Sequence, residues 1–377
     1  MRHYLLTGAT GVVGSETLRS LLEHPDDVVS VLIRADDDAH LQKRLATLLD
    51  FLGWASDDEK RGRVRALRGD VALPCFGLSM DRHASLAASC THIIHSAGAV
   101  RMNLPLSEAR RSAVDSVREV LALSREMGRR GTLAKVEVIS TVGVAGKSPG
   151  AVPEKWLDDE REFHNSYEQS KSEAEQLLRA AIEDERMPIT VHRPSMVVGA
   201  TGTGQIIHFQ IFYYLCEFLS GCRTFGLYPN FGDVRLDIIP ADTVADAIAA
   251  ASRDPATSGR ILHLASGPTS APRLSELKSI VRAAFSARGI ATYRDTVLSR
   301  KLYGVLARTV AAVAPPRHRK ALATLPVYLD HLFDQTFDNE RFRAWMASRN
   351  QSLPVFTSYI DEVLRYYLDR RPAESKR

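Results

Sequence analysis

The sequence predicts an α/β protein, a doubly wound parallel sheet followed by a mostly helical C-terminal cap. Three observations carry this. Short β-branched runs alternate with longer helical patterns from the N-terminus to about residue 200. A glycine-rich turn, "TGATGVVG" at 7–14, joins the first strand to the first helix, and from about residue 274 the pattern is nearly all helical. Such alternation argues for βαβ units and a sheet covered on both faces.

The strand "YLLT" leads into a helix over 12–24, where Leu18, Leu21 and Leu22 recur at helical spacing. "VVSVLI" precedes a helix at 38–52, "RVRAL" one at 79–89, and "THIIH" one at 106–129. "VEVIS" at 136–140, a helix beginning near Tyr167 and "ITVHR" at 189–193 continue the rhythm. Beyond residue 200 come an aromatic-rich apolar segment (206–228), a strand-like "VRLDII" (234–239), the helix "ADTVADAIAAAS" and the strand "RILHLAS". These last two strands are expected to extend the sheet. The organisation that follows is a nucleotide-binding core over 1–200 and a cap over 201–377, with 234–265 returning to the core.

At 377 residues, 45% of them hydrophobic and 25% charged, the chain can bury a substantial core and is neither disordered nor fibrous in composition. The formal charge of +4 comes without a Lys or Arg run long enough for a nucleic-acid arm, so "RHRK" at 317–320 and the terminal "RPAESKR" read as solvated surface. Cys75, Cys90, Cys216 and Cys222 lack the paired short spacings of a zinc site, and the start does not look like a signal peptide. Reduced thiols, no metal and a cytoplasmic protein are expected. No window reaches the roughly 18 apolar residues of a membrane span. The segments 206–219 and 302–314 are the nearest, and they read as buried or interfacial helices.

A strand that enters a tight turn and opens a helix presents unpaired N–H groups and the positive end of the helix dipole. Phosphate fits there. Gly8 permits the turn, Gly11 lets a pyrophosphate approach the backbone, and Gly14 allows close packing of the helix. Arg34, at the end of the second strand, stands where an NAD-preferring protein would hold an acidic residue against the ribose. A guanidinium there pairs with the 2′-phosphate of NADP, so NADP(H) is favoured. Arg44 is either a second cation or a surface arginine. Asp70, in "GDV", is placed to accept from the adenine amine, and the small residues of "HSAG" at 95–98 let backbone lie against the ribose.

In "SYEQSKSEAEQLL", Tyr167 and Lys171 are four apart, hence on one helical face and about 6 Å apart along the axis. A neighbouring ammonium favours the phenolate and makes the tyrosine proton easier to give. The lysine is also within reach of the nicotinamide ribose. "ISTVGVAG" at 139–146 places Ser140 and Thr141 at the end of the preceding strand. Thr141 is assigned to the substrate carbonyl, and Ser140 to capping or backbone bonding.

"TGATGVVG", "STVGVAG" and "YEQSK", in that order, resemble the extended short-chain dehydrogenase/reductase superfamily. With "LIRADDDAHLQKRL", "RVRALRGDVALPCFGLS", "THIIHSAGAV", "HRPSMVVG" and "LDIIPADTVADAI", the chain is similar to the thioester reductase and fatty acyl-CoA reductase branch, including the reductase domains of carboxylic acid reductases. The match covers about the first 250 residues. The resemblance implies a Rossmann core with a substrate-side cap and a phosphate loop of Thr7, Gly8, Thr10, Gly11, Val12, Val13 and Gly14. It implies further cofactor contacts at Arg34, Arg44, Asp70, Val71, Ser96, Ala97 and Gly98, and a catalytic set of Thr141, Tyr167 and Lys171, the last two also touching the cofactor. Arg193, Pro194 and Ser195 would lie near the nicotinamide. The chain departs from the family in one place: Ala113-Val114 stands where Asn-Val is common.

The activity implied is NADPH-dependent reduction of an acyl thioester, on CoA or an acyl carrier protein, to an aldehyde and then an alcohol. Oxidation or reduction of a secondary alcohol or ketone, on a sterol-like or sugar-nucleotide substrate, is the alternative. A non-catalytic NADPH sensor is the third reading, and the presence of all three catalytic residues speaks against it. Phe209, Phe212, Tyr213, Tyr214 and Phe218 either line an acyl channel or pack in the core, and packing is expected for most.

Overall fold

A computed structural model of the chain describes residues 1–158, 160–222, 224–313 and 335–371. The basic stretch 317–320, the last residue of the segment 302–314 and all but the first residue of the tail 371–377 lie outside the described residues.

Seven strands form one parallel sheet: β1 (His3–Thr7), β2 (Val28–Ile33), β3 (Val64–Arg68), β4 (His92–His95), β5 (Lys135–Ile139), β6 (Ile189–Pro194) and β7 (Ile261–Leu264), in the order β7-β6-β5-β4-β1-β2-β3. Thr7 sits opposite both Leu32 and His95, His95 opposite Val138, and Ile139 opposite His192. Neighbouring strands therefore finish together, and the loops that follow them open on one edge. The winding direction reverses between β1 and β4, which leaves a crevice there.

The apolar alternation of β1 explains the two covered faces. Tyr4 and Leu6 join the core under α1 (Val12–Leu22) and the helix Ala241–Ala251, whereas Leu5 joins the core beneath the helices Met80–Ser89, Ser116–Arg130 and Ser166–Glu183. α1 buries Leu18, Leu21 and Leu22 completely, each contributing about 1.5–3 kcal/mol. It packs on 241–251, where Ala241, Ala245 and Ala249 keep the partner surface small enough for close approach. Side chains fix several helix starts: Asp37 accepts from His40 N, Ser79 from Arg82 N and Asn165 from Glu168 N.

Two expectations need correction. Of "VRLDII", only Ile238–Pro240 is a strand; it pairs with Met196–Val198 in a separate two-stranded sheet, because β7 already occupies the free edge of β6. The region after 274 is not purely helical either. Thr296–Leu298 pairs with Leu227–Pro229, and Gln335–Phe337 with Gly150–Val152, tying the late chain back to earlier loops. The predicted helix at 106–129 forms as Leu106–Arg110 and Ser116–Arg130 with a π turn at Arg111–Asp115 between them. Its C-terminus closes at Gly131, with φ of +72°.

The glycines separate by what surrounds them. A Cβ at Gly14 would overlap the backbone carbonyl of Gly8, while one at Gly128, inside the helix 116–130, would meet nothing within 4 Å. We expect Gly14→Ala to cost about 1–3 kcal/mol and Gly128→Ala to add about 0.5–1 kcal/mol, read as opposite shifts of the urea midpoint at unchanged slope.

Candidate active site

The carboxyl edge of the sheet collects the predicted residues from five successive strand ends. After β1, Gly8 adopts a φ of +76°, and a Cβ there would lie 2.5 Å from Ala97 N and 2.6 Å from the Ser96 carbonyl carbon. Only glycine meets both demands. Gly11 N–H donates to Gly8 O at 2.9 Å, and Gly11 then caps α1 in extended conformation with no side-chain cap. The first-turn N–H groups, from Val12, Val13 and Gly14, therefore carry the helix dipole toward the crevice without a capping side chain. Val12 is itself buried and offers only its backbone.

Arg34 is exposed just past β2 and has no side-chain partner among the described residues. Arg44 does something neither sequence reading anticipated: it donates to the Thr10 hydroxyl at 2.9 Å and to the carbonyl oxygen of Arg34, clamping the glycine loop to the end of β2. Thr10 keeps its own O–H for a ligand. After β3, one carboxylate oxygen of Asp70 accepts from Ala72 N at 3.0 Å, which fixes the turn beside the half-buried Val71 and leaves the second oxygen for a donor. An uncapped helix start, a loop that no Cβ obstructs and an exposed guanidinium fit the phosphates of a dinucleotide.

Behind this loop lies a buried chain of hydrogen bonds. Ser116 Oγ–H donates to Ser112 O (2.7 Å), so it accepts from His95 Nε2–H (3.2 Å); His95 Nδ1 then accepts from the Thr7 hydroxyl (2.8 Å), which accepts from Ala97 N–H (3.3 Å). Thr7, expected at the cofactor, is completely buried and turned to this chain instead. Ser112 Oγ also accepts from Ala99 N at 2.8 Å, so the segment Ser96–Gly98 is held from both sides. Ala113 is buried in the π turn, and its serine neighbours do the polar work at that turn. His95, Ser112 and Ser116 were missed from sequence; a histidine at the carboxyl end of a buried strand was the available signal.

After β5, Thr141 Oγ1 accepts from Gly143 N at 3.1 Å, and its hydroxyl lies near that of Tyr167. Ser140 was assigned to capping or backbone bonding; instead Thr141 makes the cap, and the Ser140 hydroxyl donates to the Glu175 carboxylate at 2.5 Å. Lys171, one turn beyond Tyr167, donates to Ile139 O at 3.0 Å and lies beside Gly98. The expected acidification of the phenol by this lysine is not what the arrangement gives. Desolvation pushes Tyr167 up to about 12, the Glu168 carboxylate adds to that, and the Thr141 hydroxyl opposes it. Lys171 is itself pushed down to about 8 by burial, against the attraction of Glu175. Tyr167 is thus held protonated, ready to donate.

Arg193 does not reach for a ligand. It is buried, with Nε and Nη2 on the two oxygens of Glu175 (3.0 and 2.6 Å) and Nη1 on Lys155 O (3.0 Å). Pro194 and Ser195 are buried beside it. Of the aromatic residues proposed for a channel, Phe212, Tyr213 and Phe218 are core, Phe209 packs edge-on against Tyr213 and Tyr367, and Tyr214 is exposed. The four cysteines are unpaired, and burial pushes Cys90 up to about 12. Among the described residues, no helix is long and apolar enough to cross a membrane.

A doubly wound sheet with a dinucleotide loop at its switch point and a Thr-Tyr-Lys set on the same edge defines a nicotinamide-dependent oxidoreductase of the extended short-chain dehydrogenase/reductase type. The chain belongs to the male sterility protein family, whose NAD-binding model matches residues 6–248. It is 33% identical over 202 residues to an isonitrile lipopeptide synthase of Streptomyces coeruleorubidus, covering 54% of this chain and 14% of that protein. To the L-2-aminoadipate reductase of Schizosaccharomyces pombe it is 28% identical over 277 residues, 70% of this chain and 19% of that one. The chain thus spans less than a third of the length of these relatives. Among solved structures, the terminal R domain from the myxalamid PKS-NRPS biosynthetic pathway superposes with a TM-score of 0.79 at 26% identity, over 98% of this chain and 91% of that chain.

Burial holds several imidazoles neutral: His92 is pushed down to about 4, and His95 and His263 to about 3. Burial of Glu154 acts oppositely, raising it to about 7. As pH falls from about 6.5 toward 5, the unfolded chain binds protons on three histidines that the fold refuses, while the fold holds one on Glu154 that the unfolded chain largely lacks. The net is about two protons toward the unfolded state. Stability measured by urea unfolding should fall by about 2–3 kcal/mol per pH unit in that window.

Proposed function

We propose that this protein is an NADPH-dependent reductase of acyl thioesters, carried on CoA or on the phosphopantetheine arm of an acyl carrier protein, that releases an aldehyde and can reduce it further to the alcohol. The observation that carries the reading is the Thr141–Tyr167 hydroxyl pair, adjoining Lys171 at the strand edge beside the dinucleotide crevice. The kinship with an aminoadipate reductase and with a terminal domain of a PKS-NRPS pathway favours a thioester over a secondary alcohol or ketone.

The first-turn N–H groups of α1 would hold the pyrophosphate, Arg34 the 2′-phosphate, and Lys171 the ribose next to the nicotinamide. The reduced nicotinamide, when bound, supplies the hydride that adds to the acyl carbon. Thr141 and Tyr167 donate hydrogen bonds to the carbonyl oxygen, where negative charge develops. Tyr167 gives its proton to that oxygen, forming a hemithioacetal. Return of the hydroxyl proton to the Tyr167 phenolate reforms a carbonyl as the C–S bond breaks, and the sulfur leaves as a thiolate that takes its proton from solvent. A phenol held well above neutral pH suits this order of events, because it is fully protonated before the hydride arrives.

Three measurements test this. Purified protein with acyl-CoA, ketone and sugar-nucleotide panels should oxidise NADPH with the thioester alone; turnover restricted to the other two would remove the reading. Tyr167→Phe should lower kcat by about 10²–10⁴-fold with NADPH affinity kept within about threefold. Arg34→Ala should weaken NADPH by at least about tenfold, the loss of one charge-assisted pair, and leave NADH nearly unaffected; equal losses would refute the 2′-phosphate contact.

A further inference from the structure

Tyr167, Lys171 and Glu175 succeed each other at four-residue steps on the helix 166–183, so all three side chains leave the same face toward the end of β5. Two of them belong to the catalytic set just proposed. The third is only 4% exposed. Its Oε1 accepts from Ser140 Oγ at 2.5 Å and from Arg193 Nε at 3.0 Å, and its Oε2 from Arg193 Nη2 at 2.6 Å. Arg193 in turn is anchored by Lys155 O at 3.0 Å and by Nε2 of His263 at 3.3 Å, whose Nδ1–H donates to Asp338 O at 2.7 Å.

We propose that Glu175 is a positioning residue for this site: it grips the Ser140 hydroxyl and the Arg193 guanidinium behind the strand end that presents Thr141, and it is the buried countercharge of Lys171. The inference rests on the assignment of Thr141, Tyr167 and Lys171 to catalysis.

Two physical facts give the arrangement its force. The backbone on either side of Ser140 is held at several points: its N–H donates to His192 O at 2.7 Å, its hydroxyl goes to Glu175, and the preceding carbonyl of Ile139 takes the Lys171 ammonium. Thr141 is the next residue, so the location of its hydroxyl follows from those restraints. The second fact is electrostatic. Lys171 is 8% exposed, and among the described residues neutral His95 from β4 faces it besides Glu175, with Tyr167 one turn before it on its own helix. Glu175 alone among them is an anion. Burial drives the ammonium toward its neutral form, and this carboxylate opposes that. Removing the charge lowers the affinity of Lys171 for its proton, so the lysine neutralises at a lower pH.

The experiment compares the wild-type chain with Glu175→Gln, Glu175→Gln/Arg193→Met, Ser140→Ala and Tyr167→Phe. Nicotinamide fluorescence gives the dissociation constant of NADPH across about pH 6–9, and turnover of an acyl-CoA gives kcat and KM. For Glu175→Gln, the pH above which NADPH binding and kcat fall should move down by about one unit. Its kcat should drop about 10–100-fold, the cost of small misplacement, with KM for the thioester changed less than about threefold. The double variant removes the stranded guanidinium, so its thermal midpoint should recover toward wild type while the lower kcat and the shifted pH limb persist. Recovery of both would show that the ion pair is scaffold only and overturn the proposal, as would a folded Glu175→Gln protein with an unmoved limb.

Ser140→Ala alters no charge and guards against misfolding of the glutamine variants. It should lower kcat about threefold or more, one buried hydrogen bond's worth, with the limb in place; unchanged kcat would overturn the Thr141 arm. If Tyr167→Phe turns over normally, the catalytic assignment has failed, and the pH dependence of NADPH binding still reads the Lys171–Glu175 coupling separately.

Discussion

The contact on which the rest depends is backbone against backbone at the point where the sheet reverses direction. Gly8, leaving β1 with a positive φ, lies against the peptide joining Ser96 to Ala97, which leaves β4, and Gly14 brings α1 down onto the carbonyl of Gly8. No side chain fits between these segments. The register of the parallel strands brings their ends level, and the missing Cβ atoms let the following loops close on one another. A cofactor crevice with an uncapped helix at its floor follows from those constraints together.

Behind that crevice, the polar groups that a buried sheet edge would otherwise leave unpaired are joined in ordered series. Thr7, His95 and Ser116 form one that ends on the π turn, and Ser140, Glu175, Arg193 and His263 form another that ends on Asp338 O. Each member has a donor matched to an acceptor, which is the condition under which buried polarity fixes geometry rather than costing stability. The second series reaches from Glu175 on the helix 166–183 to Asp338, 163 residues later in the chain. The later chain thus bears on this buried series through β7 and Asp338.

How much was legible in the residues can be followed element by element. The strands from "VVSVLI" to "ITVHR", the helices between them and the glycine loop were readable because their signals are local: period, β-branching and glycine placement within a dozen residues. Tyr167 and Lys171 were legible as a pair since four-residue spacing fixes a shared helical face. Arg193 was misplaced because sequence shows an arginine at a strand end but not the carboxylate on a neighbouring helix that consumes its donors. Arg44 was left between two readings for the same reason; its partners, Thr10 and the Arg34 carbonyl, are brought near only by the fold. The protonation of Tyr167 was misjudged because adjacency of an ammonium is a sequence property and desolvation is not.

The sequence by itself determined the layered architecture, the glycine loop and the shared helical face of Tyr167 and Lys171, all of them consequences of residue period and of the conformations glycine alone adopts. Only the tertiary structure decided which hydroxyl caps and which is gripped, which arginine is exposed and which is spent in an ion pair, and where "VRLDII" and the late strands pair. Those outcomes depend on which donor meets which acceptor across tens to hundreds of residues, and on how much water each meeting excludes. Neither quantity is written in the order of residues along the chain.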